Sequence, residues 1–368
     1  MRMVIYMGFN NPRTYKRGVE NIIDVQARSL GPGIKKIYLF FDDRRSIFRW
    51  NGVVCIGIPK GPTRFLRLNR VVFKILRSAA AKHYKTIIHS HNYLMSLFLF
   101  CGTDLFTVHD GLWYLKKCFH SRLPWLFWAI ERIVYRRVAK VHCNSMFTYN
   151  ASQLPSVEKN ANVIYCSTPM EHYPASSMAY YPRSGRVTVL SVRSIEERAR
   201  IDLVIEMATL AYERSLNIDF VVAGKGPLLA HYRQVICERG LPNIRLIGFV
   251  PDNELAARYR DCNCVLVTCE NGEGFGMPII EGYLFGKPVV GSGKCAIPEV
   301  IIDPKYLSAN DAEEMLMNLR AALAESSNVV YFREHYDKHF SNAIISEQFR
   351  RLYSEAFAEG KVTLSVSV

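Results

Sequence analysis

Apolar positions along the chain fall into short β-branched and aromatic runs, separated by longer segments where they recur every three or four residues. In the first half, the runs at 4–7, 36–41, 53–58, 86–89, 105–109, 138–143 and 162–165 predict strands. Between them the spacing predicts helices over 18–30, 64–82 and 124–137. A Pro-, Ser- and Tyr-rich stretch at 173–185 breaks the alternation and reads as a linker. The pattern then restarts, with strands expected at 187–192, 218–223 and 244–249 and helices at 203–214 and 228–239. Near-continuous apolar strands alternating with helices predict parallel sheets covered on both faces. The expected fold class is therefore α/β, with two doubly wound, Rossmann-like domains over 1–180 and 181–340 and a ligand cleft where strands end and helices begin.

Composition adds limits. At 49% hydrophobic and 22% charged residues, the 368-residue chain is not largely disordered. Apolar runs such as 94–100 fall short of the roughly 20 residues that span a bilayer. Residues 1–9 read as a buried strand and not as a signal peptide. Of ten cysteines, Cys55, Cys101, Cys143 and Cys264 sit in strand-like stretches and no C-x-x-C pair occurs, so reduced thiols and a cytoplasmic setting are expected. Charge is uneven: the first 180 residues hold 26 Lys and Arg against 9 Asp and Glu, the rest 21 against 24. All four tryptophans, Trp50, Trp113, Trp125 and Trp128, lie in the basic half, which should meet an anionic partner.

The richest chemistry lies between Glu270 and Glu281. Glycines at 272, 274 and 276 allow close backbone approach, the amides of a helix start suit an anion, and Pro278 fits the first helical turn. Glu273 falls in the loop and Glu281 about one turn into the helix, so two carboxylates can flank one ligand. The competing reading is a capped helix with two solvated glutamates.

The spacing E-G-F-G-x-P-x-x-E, with Gly286-Lys287-Pro288 and Ile297-Pro298-Glu299 downstream, resembles the retaining GT-B glycosyltransferases of family 4. The likeness covers roughly 186–302 strongly and the first half topologically. It implies a GT-B fold with a final helix, 341–358, crossing back to an acceptor-side first domain. It also implies hexose transfer from a nucleotide-diphosphate sugar. Glu273 would then contact donor-sugar hydroxyls, Glu281 the ribose, and the amides of Gly274, Phe275 and Gly276 the sugar and diphosphate. Arg193 matches the family's diphosphate-binding arginine. The family's lysine falls near Ala199, so Arg198 or Arg200 would supply the second cation. Gly224 marks a turn of the kind that lines the nucleotide pocket, and Phe249 the loop bordering the base.

In the first half, His109 follows a strand, as the family's histidine near the donor sugar does. His89 and His91 lack a third ligand at metal spacing and read as structural. Gly18 matches the second glycine of a Gly-Gly-x-Glu loop whose first position is Arg17. The chain has no Asp-x-Asp motif, and Asp42-Asp43 reads as a plain loop, so metal-independent transfer is expected, with arginines and amides handling the diphosphate. Retention normally uses a carboxylate nucleophile opposite the leaving group, and none is evident on that face; the family resemblance implies same-side attack, with the leaving phosphate oxygen taking the acceptor's proton.

Arg64, Arg67, Arg70, Lys74 and Arg77 form one helical stripe, and Trp113–Lys117 and Arg122–Trp128 mix basic with aromatic residues. Such surfaces suit an anionic headgroup layer, and the competing reading is a solvated helix face with a tryptophan-rich core. Together with the glycosyltransferase resemblance, the first reading implies peripheral attachment to the inner face of the cytoplasmic membrane and a saccharide or lipid-linked acceptor in surface polysaccharide or glycolipid assembly. Two other readings are a GT-B-fold sugar-nucleotide epimerase or phosphorylase and a basic nucleic-acid-binding protein. No RNA-binding signature appears, and no nucleic-acid partner is expected.

Overall fold

The computed structural model describes residues 1–14, 18–118, 121, 123–173 and 185–359. Lys16, Arg17, Arg122 and nearly all of the expected linker lie outside the described residues. The chain divides into one unit of Met1–Ser167 with Asn342–Val368 and a second of Thr168–Ser341. The division falls ahead of the expected 180/181 boundary, and the C-terminal helix Asn342–Glu359 belongs with the first unit.

The first unit holds β1 (Arg2–Met7), β2 (Ile34–Asp42), β3 (Ser46–Trp50), β4 (Val53–Pro59), β5 (Lys85–Ser90), β6 (Leu105–Val108), β7 (Lys140–Cys143) and β8 (Asn162–Val163). They form one sheet in the order β3-β4-β2-β1-β5-β6-β7-β8, parallel except for β3. Period-2 alternation explains why both faces are covered. Val4, Tyr6, Tyr38 and Phe40 point to one face, under helices Gly18–Ser29 and Asn342–Glu359. Met3, Ile5, Met7, Ile37 and Leu39 point to the other, under helix Arg64–Ala81.

Strand β3 was not anticipated from the pattern. Its residues alternate between exposed and half-buried, so it lacks the apolar run of a central strand. The signal was Asn51-Gly52, both at positive φ, which closes the two-residue hairpin pairing Trp50 with Val53.

The second unit holds β9 (Val187–Val192), β10 (Ile218–Ala223), β11 (Ile244–Gly248), β12 (Cys264–Val267), β13 (Val289–Ser292) and β14 (Leu307–Ser308). All pair in parallel, in the order β11-β10-β9-β12-β13-β14. The order reverses between β9 and β12, and such a switch point opens a crevice at the carboxyl ends of the two strands.

Candidate functional site

Arg193 directly follows β9 and Glu273 lies in the loop after β12, so both stand at that switch point. Arg193 Nη1 donates to Glu273 Oε2 at 2.5 Å, and the side chains keep 6% and 18% of their exposure. The other carboxylate oxygen, Oε1, accepts from the Gly276 amide at 2.9 Å. Burial opposes ionisation of Glu273, but the Arg193 charge, with Arg198 and the Gly276 amide, outweighs it and holds the carboxyl below its ordinary value. Burial likewise opposes the charge on Arg193, which Glu273 restores. The pair is ionised and mostly dry, and Cys269 also faces the guanidinium.

Both flanking arginines are engaged, in different ways. Arg198 Nη1 donates to the Gly272 carbonyl and its Nε to Glu196 at 3.3 Å, which keeps it beside the glycine loop. Arg200 is held by Asp202 at 2.9 Å and Glu270 at 2.8 Å. The structure thus places Arg198 in the field of Glu273 and commits Arg200 elsewhere.

Glu281 sits in helix Met277–Leu284, 6% exposed, far from the solvated glutamate of the bland reading. Its oxygens accept from Thr168 at 3.1 Å and Tyr259 at 2.6 Å. Neither partner was foreseen, since they stand 113 and 22 residues away and no local pattern marks them. Phe275 is buried with its ring edge-on to Phe340, so its side chain is core, whatever its amide does.

The turn after β10 explains its glycines. A Cβ on Gly224, at φ +152°, would lie 1.7 Å from the Arg193 carbonyl, and one on Gly226 would lie 2.0 Å from that of Ile195. Only glycine lets this turn lie against the backbone that carries Arg193. Phe249 is exposed, with Lys225 Nζ over its ring at 4.5 Å. Gly18 opens its helix with open space where a Cβ would stand.

In the first unit, His89, His91, His109 and His142 gather at the ends of β5, β6 and β7. His142 Nε2 donates to the Ile164 carbonyl at 2.9 Å, so its Nδ1 accepts from Thr107 at 3.0 Å. The Thr107 oxygen in turn accepts from His89 Nε2 at 2.7 Å, and His89 Nδ1 accepts from Tyr353 at 2.6 Å. Burial keeps all four uncharged: it pushes His142 down to about 4 and His109 to about 3, and moves His89 and His91 the same way. His89 and His142 are structural. His91 Nδ1 and His109 Nε2 meet at 2.8 Å.

Comparison with known proteins bears on the fold and on family likeness. Residues 179–339 match the family described as glycosyl transferases group 1. The O-antigen chain mannosyltransferase B of Escherichia coli is 26% identical over 223 residues, 59% of this chain and 57% of that one. The chain's matches span 32% to 62% of the lengths of its curated relatives. Among solved structures, sucrose-phosphate synthase from Thermosynechococcus elongatus superposes with a TM-score of 0.77 at 17% identity, covering 97% of this chain and 100% of that one. Anabaena HepE, solved with UDP and glucose, gives 0.73 at 16% identity, covering 96% and 100%. The fold is GT-B.

Proposed function

We propose that the protein is a retaining, metal-independent glycosyltransferase that moves a hexose from a UDP- or GDP-sugar to a saccharide or lipid-linked saccharide acceptor. The observation that carries this reading is the Arg193–Glu273 ion pair at the switch point of the second sheet. An incoming diphosphate offers Arg193 a second anion, and Arg198 stands near enough to share it. Glu273, relieved of part of that charge, accepts from hydroxyls of the donor sugar, while Glu281 takes the ribose hydroxyls in place of Thr168 or Tyr259. The Gly274 and Gly276 amides lie at the start of helix Met277–Leu284, where an anion is favoured. Gly224 and Phe249 would border the nucleotide, and Gly18 a phosphate. His109 would hydrogen-bond the sugar. As the sugar leaves, charge grows on the diphosphate and the fixed guanidinium stabilises it. The leaving phosphate oxygen then takes the acceptor's proton on the same face. HepE's UDP and glucose and the relatives' mannosyltransferase names support a nucleotide-hexose donor.

Melting the protein with UDP, GDP and ADP tests this, since a bound nucleotide raises the midpoint by mass action. Arg193→Gln should weaken diphosphate binding roughly ten- to hundredfold and nucleoside binding little, as charge-assisted bonds are worth about 1.5–3 kcal/mol. Equal losses for both ligands would remove Arg193 from the phosphates.

We further propose that the acceptor lies in an anionic membrane, met by the first unit. Arg67, Arg70, Lys74 and Arg77 are exposed on helix Arg64–Ala81 beside exposed Leu66 and Phe73. Asn69 ties this helix to the loop of exposed Phe98 and Phe100. Arg64 does not share the stripe's exposure: it lies over the Phe41 and Phe65 rings. No helix among the described residues is long and apolar enough to cross a membrane. Replacing Arg67, Arg70, Lys74 and Arg77 with Gln should release the protein from anionic vesicles at moderate salt, at about 1 kcal/mol per charge. Wild type that ignores such vesicles even at low salt overturns this part.

A further inference from the structure

We infer that His91 is a positioning residue that fixes His109 as the Nδ1–H tautomer, so that His109 donates a hydrogen bond to its ligand. This rests on the reading of His109 as a ligand contact and adds the direction of that contact.

His91 follows β5 and is anchored by its own amide, which donates to the Met7 carbonyl at 2.8 Å. His109 follows the neighbouring strand β6, and the two rings stack at 5.1 Å with 29° between their planes. Nδ1 of His91 and Nε2 of His109 stand 2.8 Å apart. Both rings are neutral, so one hydrogen lies between them and there are two arrangements.

If His109 donates, His91 must carry its hydrogen on Nε2. That nitrogen is buried and meets no protein partner, so an N–H there would be an orphaned donor. Such donors are rare and costly, whereas an unused imidazole lone pair costs less. His91 Nδ1 therefore donates to His109 Nε2, and the neutral His109 must carry its own hydrogen on Nδ1. His109 as a residue is partly exposed, and among the described residues its Nδ1 has no partner.

The consequence is chemical. An N–H at Nδ1 donates to a hydroxyl, carbonyl, carboxylate or phosphoryl oxygen and turns away a protonated amine at that point. A sugar carrying an ammonium in place of the contacted hydroxyl should be discriminated against.

The test is a 15N–1H correlation on protein labelled at histidine, which reads the protonated nitrogen of each ring, with His109 assigned by its loss in His109→Gln. Wild type should show His109 protonated at Nδ1. His91→Phe keeps an aromatic ring without a donor and should release His109 to a mixture of tautomers or to Nε2–H. His91→Asn, whose amide reaches about the place of Nδ1, should restore the Nδ1–H form. Nε2–H in wild type, or an unchanged His109 tautomer in a His91→Phe protein that melts like wild type, overturns the inference. Should His91→Phe fail to fold, the wild-type and His91→Asn spectra still decide it. The spectra need no substrate: Nδ1–H at His109 with no sugar transfer would sink the proposed reaction and leave the positioning intact.

Discussion

At the carboxyl edge of the second sheet a guanidinium and a carboxylate face each other at 2.5 Å, whereas at that edge of the first sheet four histidines are hydrogen-bonded without a charge among them. The difference separates two ways of holding polar groups in a dry place. Opposite charges tolerate burial only as a pair, and a pair can exchange partners when a ligand brings its own charge. A neutral network has no charge to exchange, and what it fixes is direction: which atom donates and which accepts. The charged edge suits a diphosphate and the neutral edge a hydroxyl. That division of labour is what experiments should try to break.

The largest effect is expected at the charged edge. Glu273→Ala removes the proposed contact to the sugar and strands Arg193, so transfer should fall on the order of 10²–10³-fold and stability by about 3 kcal/mol. Glu273→Gln keeps the shape and an acceptor for the Gly276 amide. It should therefore separate the two losses, with turnover still low and melting closer to wild type. Glu281→Ala should instead weaken nucleotide binding roughly tenfold, since it removes the proposed acceptor of the ribose hydroxyls as well as the carboxylate that accepts from Thr168 and Tyr259. Mild, equal effects of the two alanines on turnover would show that the carboxylates do not divide donor binding between them.

Acid should open the neutral edge first. A histidine kept neutral by burial binds its proton more readily unfolded. Its contribution is present above the ordinary value of about 6.5 and is lost as pH falls towards the folded value, about 4 for His142 and about 3 for His109. Each costs about 1.4 kcal/mol per pH unit, and His89 and His91 add in the same direction. Glu131, pushed up to about 7 by burial, and Asp104, also raised, act oppositely and offset part of the loss. In the second unit, half-buried His335 is pushed to about 4, while depressed Glu273 loses its contribution only below an ordinary carboxyl value of 4.5. Hydrogen exchange followed peptide by peptide should show the first unit losing protection between about pH 6 and 5, before the second. Simultaneous opening, or the reverse order, would contradict the assignment of charge to one edge and neutrality to the other.

How much of this was legible in the sequence follows from distance along the chain. Both sheets could be read because period-2 runs such as 4–7 and 36–41 are local. Glu273, the glycines and Glu281 share one short segment, so its resemblance to a glycosyltransferase family could be read before any geometry. Arg193, 80 residues from Glu273, was placed by resemblance and not by spacing. The His91–His109 contact escaped because register between β5 and β6 decides it, and two strand-end histidines look alike in a sequence. Arg198 and Arg200 could not be told apart, since the carboxylate of Glu270 that holds Arg200 lies 70 residues away.

The smallest effect expected is at Gly18, and it sharpens the comparison from the side of shape. Gly224 marked a pocket-lining turn and Gly18 matched a family glycine, yet the structure gives them different reasons. A methyl on Gly224 meets the Arg193 carbonyl at 1.7 Å, so Gly224→Ala must displace the backbone that carries the ion pair and lower both melting temperature and diphosphate affinity. Beyond its chain neighbours and its own helix backbone, a methyl on Gly18 meets no atom of the described residues within 4 Å, and alanine is the better helix former, so Gly18→Ala should melt at or slightly above the wild-type temperature. If that open space receives a phosphate, the methyl should still weaken donor binding, by a few-fold at most, equivalent to less than about 1 kcal/mol. Calorimetric titration of the variant with a nucleoside diphosphate and with the intact sugar nucleotide measures it. Unchanged affinity for both would leave Gly18 as a helix start and nothing more, and would confine donor binding to the charged edge of the second unit.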